Sequence, residues 1–271
     1  MSAQHKTPPR VLSIAGSDSS GGAGIQADIK TITMLGGYAM SAITAVTAQN
    51  SLGVQAIEPM PPEFVGEQIR SCIGDIGVDA IKIGMLHNAK IVEAVAAEAS
   101  KLADTIPVIL DPVMVATSGA QLIDDEAIEA MRERLFPLAT MLTPNMPELI
   151  QLTRAEPATT KDVDDVSAAL GAQYDCYVLA KGGHTQDNQI VDVLAGKGEP
   201  GAAFSNARIE TEHTHGTGCT LSSAIAVLMG HGLSAADAVK VGRRFVYQAI
   251  KHAPGFGGGN GPLGHQAVRS P

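Results

Sequence analysis

The chain contains 271 residues, 45% of them hydrophobic, and carries a formal net charge of −9, so its composition excludes a disordered or fibrous protein. The acidic balance also argues against general binding to nucleic acid or to an anionic membrane surface. No apolar run reaches the ~18–20 residues that span a membrane, and the three cysteines form neither a CxxC pair nor a disulfide framework. We therefore expect a cytoplasmic protein with one domain over residues 1–271, in which segments 1–9 and 264–271 are flexible tails.

Short apolar runs alternate with helical patterns over the first two thirds of the chain. Strands are predicted at 10–15, 42–47, 79–83, 107–110, 139–142 and 176–180. Helices are predicted between them, at about 23–35, 62–76, 89–102, 124–135, 147–152 and 163–173. Parallel neighbours need a crossover of about this length, usually a helix. The alternation therefore predicts an α/β fold, with a central mostly parallel sheet and helices on both faces.

The pattern changes after Lys181. Two strands and then two helices are predicted, at 190–195, 208–211, 217–230 and 234–252. The glycine-rich loop 196–201 would join the two strands as a small antiparallel hairpin at the edge of the sheet. A second glycine-rich loop follows the last helix.

Two familiar phosphate-binding signatures are incomplete in this sequence. Residues 16–21 have the glycine spacing of a Walker loop, but Gly22 and Ala23 stand where lysine and serine or threonine are required. Two GxGxxG matches, at 196–201 and 259–264, each contain a proline, and neither lies between a predicted strand and a helix. We therefore expect neither a Walker loop nor a dinucleotide-dependent dehydrogenase.

The segment 213–220, His-Thr-His-Gly-Thr-Gly-Cys-Thr, runs directly into an apolar helical pattern. It predicts a turn at Gly216 and Gly218 that opens a helix, with Cys219 in the first helical turn. Unpaired N–H groups and the positive end of the helix dipole meet at such a place and favour a bound phosphate. The same field favours a thiolate, so we expect a lowered pKa for Cys219. Phosphoryl transfer is the leading hypothesis, and a capped helix with a small buried cysteine is an equally weighted alternative.

Polar residues follow several predicted strands at their carboxyl ends, or open the helix beyond them, where open α/β sheets bind ligands. They are Asp28, Gln49, Asp111, Asn145, Glu148 and Lys181. Carboxylate and amide oxygens can hold Mg²⁺ through water, and a lysine can neutralise phosphate. Each residue also has an ordinary explanation, such as a helix cap for Asp111 and Asn145 or a surface charge for Lys181. Their number at equivalent positions favours a site.

Two apolar residues and two histidines are weaker candidates. Met85 and Val113 would line an apolar wall of the site, and a place in the core explains them equally well. His213 and His215 form an HxH pair without further ligands at metal spacing, so a metal site there is disfavoured.

Taken together, these motifs resemble the ribokinase-like superfamily, and within it the hydroxymethylpyrimidine/phosphomethylpyrimidine kinases of thiamin biosynthesis. The matching blocks are residues 14–18, 20–28, 44–50, 82–86, 110–114, 143–148, 181–184 and 215–220. The resemblance implies a ribokinase-like fold and a homodimer without nucleic-acid or membrane partners. It also implies an ATP- and Mg²⁺-dependent kinase that phosphorylates 4-amino-5-hydroxymethyl-2-methylpyrimidine and then its monophosphate.

The resemblance assigns roles to individual positions. Substrate-binding positions of the family fall on Gly16, Asp28 and Gln49, and Met85 and Val113 of the apolar wall complete the predicted substrate site. Positions that bind the nucleotide and its phosphates fall on Asp111, Asn145, Glu148, Lys181 and Thr217, with Mg²⁺ held by Asp111 and Glu148, in part through water. Catalytic positions fall on Lys181, Gly216, Gly218 and Cys219, of which Cys219 would be the base. Thr117 departs from the lysine that relatives often have, so a phosphate contact from that loop stays open.

Three alternative functions stay open from the sequence. Pyridoxal kinase activity, alone or beside the pyrimidine activity, is the first, although Cys219 stands where typical pyridoxal kinases carry aspartate. The second is a non-catalytic ligand-binding or sensory module on the same scaffold. The third, a cysteine hydrolase, is disfavoured because the recognisable histidine partners of Cys219 are His213 and His215, which precede it in the turn.

Overall fold

A computed structural model describes residues 7–115, 122–183 and 188–268. Its strands are β1 (Arg10–Asp18), β2 (Tyr38–Asn50), β3 (Gly53–Pro59), β4 (Ala80–Ile83), β5 (Val108–Leu110), β6 (Met141–Leu142), β7 (Tyr177–Ala180), β8 (Gln189–Gly196) and β9 (Glu199–Ala207). Its α-helices are α1 (Gly24–Met34), α2 (Pro62–Asp75), α3 (Ala89–Ala99), α4 (Asp125–Arg134), α5 (Met146–Thr153), α6 (Thr160–Tyr174), α7 (Thr217–Gly230) and α8 (Ala235–Lys251). Short 3-10 helices cover Phe136–Leu138 and His265–Ala267. Among the helices so described, none is long and apolar enough to cross a membrane.

These strands form one sheet in the order β3-β2-β1-β4-β5-β6-β7-β8-β9. The strands from β2 to β7 in that order run parallel to one another. At the two edges, β3 pairs antiparallel with β2, and β8 and β9 continue from β7 as an antiparallel pair. The predicted α/β fold with a mostly parallel sheet is confirmed, including the hairpin that follows β7.

Helices cover both faces of the sheet because neighbouring positions of each strand point to opposite sides. On β1 and β5, Leu12 and Leu110 join a core that includes residues of α2 to α6. The adjacent Val11 and Ile109 join a second core with α1, α7 and α8. This two-sided burial explains why the central strands are almost uniformly apolar.

The sequence prediction is wrong at both edges of the sheet. β3 was not predicted, and the last strand is β9 and not the segment 208–211. The loop of the hairpin is also shorter than 196–201, because Lys197 and Gly198 form a two-residue turn with φ of 49° and 69°. Pro200, which suggested a loop, lies instead in β9 at the edge of the sheet, where a missing N–H donor is tolerated.

The expected C-terminal tail is ordered as far as residue 268. His265 and Val268 are buried, and Val268 packs with Phe245 and Ala249 of α8. Near the other end of the chain, the carbonyl of Pro9 accepts a hydrogen bond from Tyr38 N–H at 2.9 Å. Residues 9 and 264–268, which were expected to belong to flexible tails, thus make a backbone bond and an apolar contact with the rest of the fold.

Candidate active site

A cavity of about 790 Å³ opens at the carboxyl ends of the parallel strands. Its walls come from the ends of β1, β2, β5 and β7 and from the start of α7. It brings together most of the predicted site residues, namely Gly16, Gln49, Met85, Asp111, Val113, Asn145, Glu148, Lys181, Gly216, Thr217, Gly218 and Cys219. The topology accounts for this convergence, because the carboxyl ends of parallel strands meet at one edge of the sheet.

The start of α7 depends on a glycine that no other residue replaces without strain. Gly216 is the N-cap and has a φ of 85°, in the left-handed region. A Cβ atom at this position would lie 1.9 Å from the carbonyl oxygen of Gly22. As a glycine, the N-cap offers no side-chain acceptor, so among the described residues the first N–H groups of the helix face the cavity without a side-chain cap. This arrangement favours a bound anion.

A lysine and an aspartate lie directly against this helix start. Lys181 Nζ is 2.7 Å from Asp111 Oδ1, and Thr143 Oγ1 donates to the same oxygen at 3.1 Å. A Cβ atom on Gly218 would lie 3.4 Å from Lys181 Nζ and 3.5 Å from Asp111 Oδ2. Lys181 is 14% exposed, which excludes the alternative of a surface charge. The pKa of Lys181 is raised because Asp111 and Glu148 outweigh the effect of burial.

Asn145 and Glu148 form a capping box at the start of α5. Asn145 Oδ1 accepts from Glu148 N–H at 2.9 Å, and Glu148 Oε2 accepts from Asn145 N–H at 2.7 Å. The cap explanation for Asn145 is thus correct, and the same bonds place Glu148 at the cavity. Burial raises the pKa of Glu148 to about 7, Lys181 opposes this shift, and Asp111 adds to it.

Asp28 does not line the cavity, contrary to its predicted contact with the substrate. Its side chain is fully buried, and Oδ2 accepts from Lys82 Nζ at 2.9 Å and from Ser13 Oγ at 2.5 Å. Oδ1 accepts from Ser223 Oγ at 2.6 Å. Of this ion pair, Lys82 and not Asp28 lines the cavity. Sequence reasoning missed Lys82, although a lysine in the apolar strand Ala80–Ile83 was a usable signal.

The predicted lowering of the Cys219 pKa is wrong. Burial raises the pKa of this thiol to about 11. Lys82 opposes the shift, whereas the carboxylates of Asp28 and Asp111 add to it. The loss of water and two nearby negative charges thus favour the thiol form of Cys219. Cys219 still lines the cavity.

A second pair that sequence reasoning missed joins the two glycine loops of the site. His215 Nε2 is 2.8 Å from Asp18 Oδ2, and the same carboxylate accepts from the N–H groups of Gly22 and Ala23 at 3.0 and 2.8 Å. Burial would raise the pKa of Asp18, but hydrogen bonds from His215 and Ser20 outweigh it and lower the value to about 2. The pair fixes the loop after β1 against the start of α7.

His215 is thus engaged in this pair. Within the described ranges, no cluster of three or more histidine, cysteine or acidic side chains has the arrangement of a metal site. Thr117, where the sequence left a phosphate contact open, lies outside the described residues.

Two glycine substitutions test the backbone conformation of the helix start and its anion site separately. Gly216→Ala is expected to lower the melting temperature, because it adds about 1–2 kcal/mol of left-handed strain and a clash with Gly22. Gly218→Ala makes only ordinary contacts and should keep or slightly raise the melting temperature, since alanine favours a helix by about 0.5–1 kcal/mol.

The same Gly218→Ala change places a methyl group beside Lys181 and Asp111 and should lower any phosphoryl transfer by at least about tenfold. Thermal unfolding and initial rates on the two purified variants check both expectations. A Gly218→Ala protein with wild-type rates would show that the space in front of this residue holds no reacting group.

Solved structures with the same fold define the class of this protein. The crystal structure of an ADP complex of Bacillus subtilis pyridoxal kinase matches with a TM-score of 0.86 and 36% identity, over 97% of this chain and 99% of that chain. A crystal structure of phosphomethylpyrimidine kinase from Clostridium difficile 630 matches with a TM-score of 0.79 and 37% identity, over 89% and 99% of the two chains. The fold is that of the ribokinase-like small-molecule kinases.

Sequence relatives narrow this class to a family. The model of the family described as phosphomethylpyrimidine kinase matches residues 18–264. A hydroxymethylpyrimidine/phosphomethylpyrimidine kinase from Streptomyces coelicolor is 46% identical over 96% of this chain and 95% of its own. The thiamine biosynthesis bifunctional protein ThiED of Geobacter sulfurreducens is 44% identical over 94% of this chain, which spans only 52% of that longer protein. The chain belongs to the phosphomethylpyrimidine kinase family.

Proposed function

We propose that this protein transfers the γ-phosphoryl group of ATP to the hydroxymethyl oxygen of 4-amino-5-hydroxymethyl-2-methylpyrimidine, and then phosphorylates the resulting monophosphate. The observation that carries the proposal is the cavity itself, which joins the open start of α7 and the Lys181–Asp111 pair to Gln49, Met85 and Cys219. The names of relatives at 43–46% identity support the same substrate.

The acceptor would occupy the part of the cavity beside β1 and β2. Gln49 lines it, with Oε1 3.2 Å from Thr47 Oγ1, and its amide would pair with heteroatoms of the ring. Met85 and Val113 supply the apolar wall that a flat heterocycle needs. Gly16 leaves the room for Met85, since a Cβ atom there would lie 2.5 Å from its terminal methyl carbon.

The phosphates would lie at the start of α7. Lys181 neutralises their charge, and the N–H groups at Gly218 and Cys219 are placed to stabilise the charge of the transferring group. The hydroxymethyl oxygen forms a bond to the γ-phosphorus while the bond from phosphorus to the β,γ-bridging oxygen breaks, and ADP leaves. The hydroxyl proton passes to the thiolate form of Cys219. In the second transfer the attacking oxygen is already anionic, so no proton needs an acceptor.

Magnesium fits the acidic side of this cavity. Asp111 and Glu148 are buried carboxylates close enough for Asp111 to raise the pKa of Glu148, which is the repulsion that a divalent cation relieves. Mg²⁺ commonly takes one or two carboxylates and completes its shell with water and substrate phosphates. We propose that these two residues hold it, in part through water. When bound, it would neutralise charge on the phosphates.

Pyridoxal is the second candidate acceptor, because it is also a flat heterocycle with a hydroxymethyl group. The two solved kinases are 36% and 37% identical to this chain, so sequence identity to them does not separate the substrates. The homodimer remains a prediction from the family resemblance, and the cytoplasmic location remains a prediction from the composition of the sequence.

The test is a coupled assay of ADP release with purified protein, ATP and Mg²⁺, over a panel that contains the hydroxymethylpyrimidine, its monophosphate and pyridoxal. We expect turnover with the first two at kcat/KM values at least about tenfold above that for pyridoxal. Turnover with pyridoxal alone would replace the proposal by its second candidate. ADP release with none of the three would support the ligand-binding alternative.

The two transfers should differ in their dependence on pH. The pKa of Cys219 is raised to about 11, so its thiolate fraction grows about tenfold per pH unit between pH 7 and 9. The rate of the first transfer should rise with it, relative to that of the second. Ionisation of Glu148 near pH 7 affects both transfers alike and cancels in their ratio. A ratio that stays flat over this range would exclude the thiolate as the proton acceptor.

A further inference from the structure

Lys82 is a cation without exposed surface in the wall of the cavity. Its ammonium group has three N–H donors, and across the described ranges its hydrogen-bonding acceptor is Asp28, at 2.9 Å. Gly84 leaves the space for this group, since a Cβ atom there would lie 2.7 Å from Lys82 Nζ. Stability is a weak explanation for the Lys82–Asp28 pair, because the cost of desolvating a buried ion pair often exceeds the attraction between its charges.

The Lys82–Asp28 pair lies where β4, α1 and α7 pack together, and the thiol of Cys219 lies at the same place. On α7, Ser223 donates to Asp28 at 2.6 Å, and Cys219 is one helical turn before Ser223, on the same face. On α1, Gly24 is one turn before Asp28, and its backbone forms a hydrogen bond with Cys219. The ammonium of β4, the carboxylate of α1 and the thiol of α7 therefore meet at one place.

We infer that Lys82 is a positioning residue for Cys219, whose ammonium, held by Asp28, stabilises the thiolate that accepts the hydroxyl proton. In this sequence of steps the Cys219 thiol first releases its proton to water. The thiolate then takes the proton of the hydroxymethyl group as the new oxygen–phosphorus bond forms and the bond to the β,γ-bridging oxygen breaks. The role in turnover rests on the proposed function, whereas the coupling between the ammonium and the thiolate does not.

Among the residues that the structure describes, two lysines and two aspartates act electrostatically on Cys219. Lys82 of β4 and Lys181, which follows β7, favour the thiolate. Asp28 of α1 and Asp111, which follows β5, disfavour it. Lys82 is the largest of the influences that oppose burial. Replacing Lys82 should therefore raise the pKa of the Cys219 thiol, and replacing Asp28 should lower it.

The test measures the rate at which iodoacetamide alkylates Cys219 as a function of pH, by peptide mass spectrometry, in EDTA and without nucleotide. Lys82→Met should lower the rate at pH 8 by about tenfold, which is one unit of thiol pKa. Asp28→Asn, which keeps the cation, should raise it by a similar factor. The Cys72 peptide reports reagent activity, since that thiol is partly exposed, and the buried Cys176 reports unfolding.

Opposite shifts in the two variants would support the inference. Shifts of the same sign, or none, would overturn it. If the ion pair were purely structural, losing either partner would loosen the packing around Cys219 in the same way. If Lys82→Met fails to fold, Lys82→Gln replaces it, and Asp28→Asn alone must still speed alkylation. The alkylation needs no substrate, so failure of the proposed function would appear separately, as opposite shifts in a protein that does not phosphorylate the pyrimidine.

Discussion

Lys181→Met is expected to lower kcat/KM for the first phosphoryl transfer by about 10²–10³-fold, the loss typical of removing one group that stabilises transition-state charge. Lys181 Nζ is 2.7 Å from Asp111 and faces the helix start at Gly218. Without it, the phosphates would meet the Asp111 carboxylate with no cation from the protein between them. Initial rates with the hydroxymethylpyrimidine and ATP measure the effect.

An exposed lysine provides the matched control for this substitution. Lys161 is 78% exposed and pairs with Asp165 on the surface of α6, and such pairs contribute little to stability. Lys161→Met should keep wild-type rates, and thermal unfolding should show both variants folded at the assay temperature. A folded Lys181→Met protein within about threefold of the wild-type rate would remove this lysine from the mechanism.

Cys219→Ala is expected to affect the two transfers unequally. The first should fall by about 10²–10⁴-fold, the usual contribution of a positioned base, because the hydroxymethyl oxygen must lose a proton. The second should fall by less than about tenfold, since its acceptor phosphate is already ionised. The two rates are measured separately, with the alcohol and with the monophosphate as acceptor.

A substitution of another cysteine shows whether a loss of activity is specific to Cys219. Cys72 lies on α2, packed against the core on the opposite face of the sheet from α7, and Cys72→Ser should leave both transfers unchanged. Equal losses of both transfers in Cys219→Ala would mean that the residue shapes the cavity and does not accept the proton.

Local patterns were sufficient to predict the centre of the fold and the convergence of most candidate site residues on one cavity. The helix after Gly216 begins at Thr217 and ends at Gly230, as its glycine turn and apolar run indicate. The polar residues after β5 and β7 converge because the carboxyl ends of parallel strands share an edge, which is a rule of topology. The edge strands β3 and β9 were harder to predict, because half-exposed strands with glycine and proline resemble loops.

Long-range pairings account for the rest of what sequence reasoning missed. Lys82 and Asp28 are 54 positions apart, and His215 and Asp18 are 197 apart, so no local pattern joins them. The sign of the Cys219 pKa shift depends on burial and on the charges of Asp28, Asp111 and Lys82. The helix-start rule by itself predicts the opposite sign. Packing decides the outcome, and packing is visible only in three dimensions.

The central claim is that the start of α7 holds the transferring phosphoryl group while Cys219 faces the acceptor oxygen. A crystal structure with a non-hydrolysable ATP analogue, Mg²⁺ and the hydroxymethylpyrimidine tests it most directly. The γ-phosphate should lie within hydrogen-bond distance of the Gly218 and Cys219 N–H groups and of Lys181, with the hydroxymethyl oxygen between it and the sulfur. A γ-phosphate bound away from this helix, or a pyrimidine whose hydroxymethyl group points away from Cys219, would contradict the account.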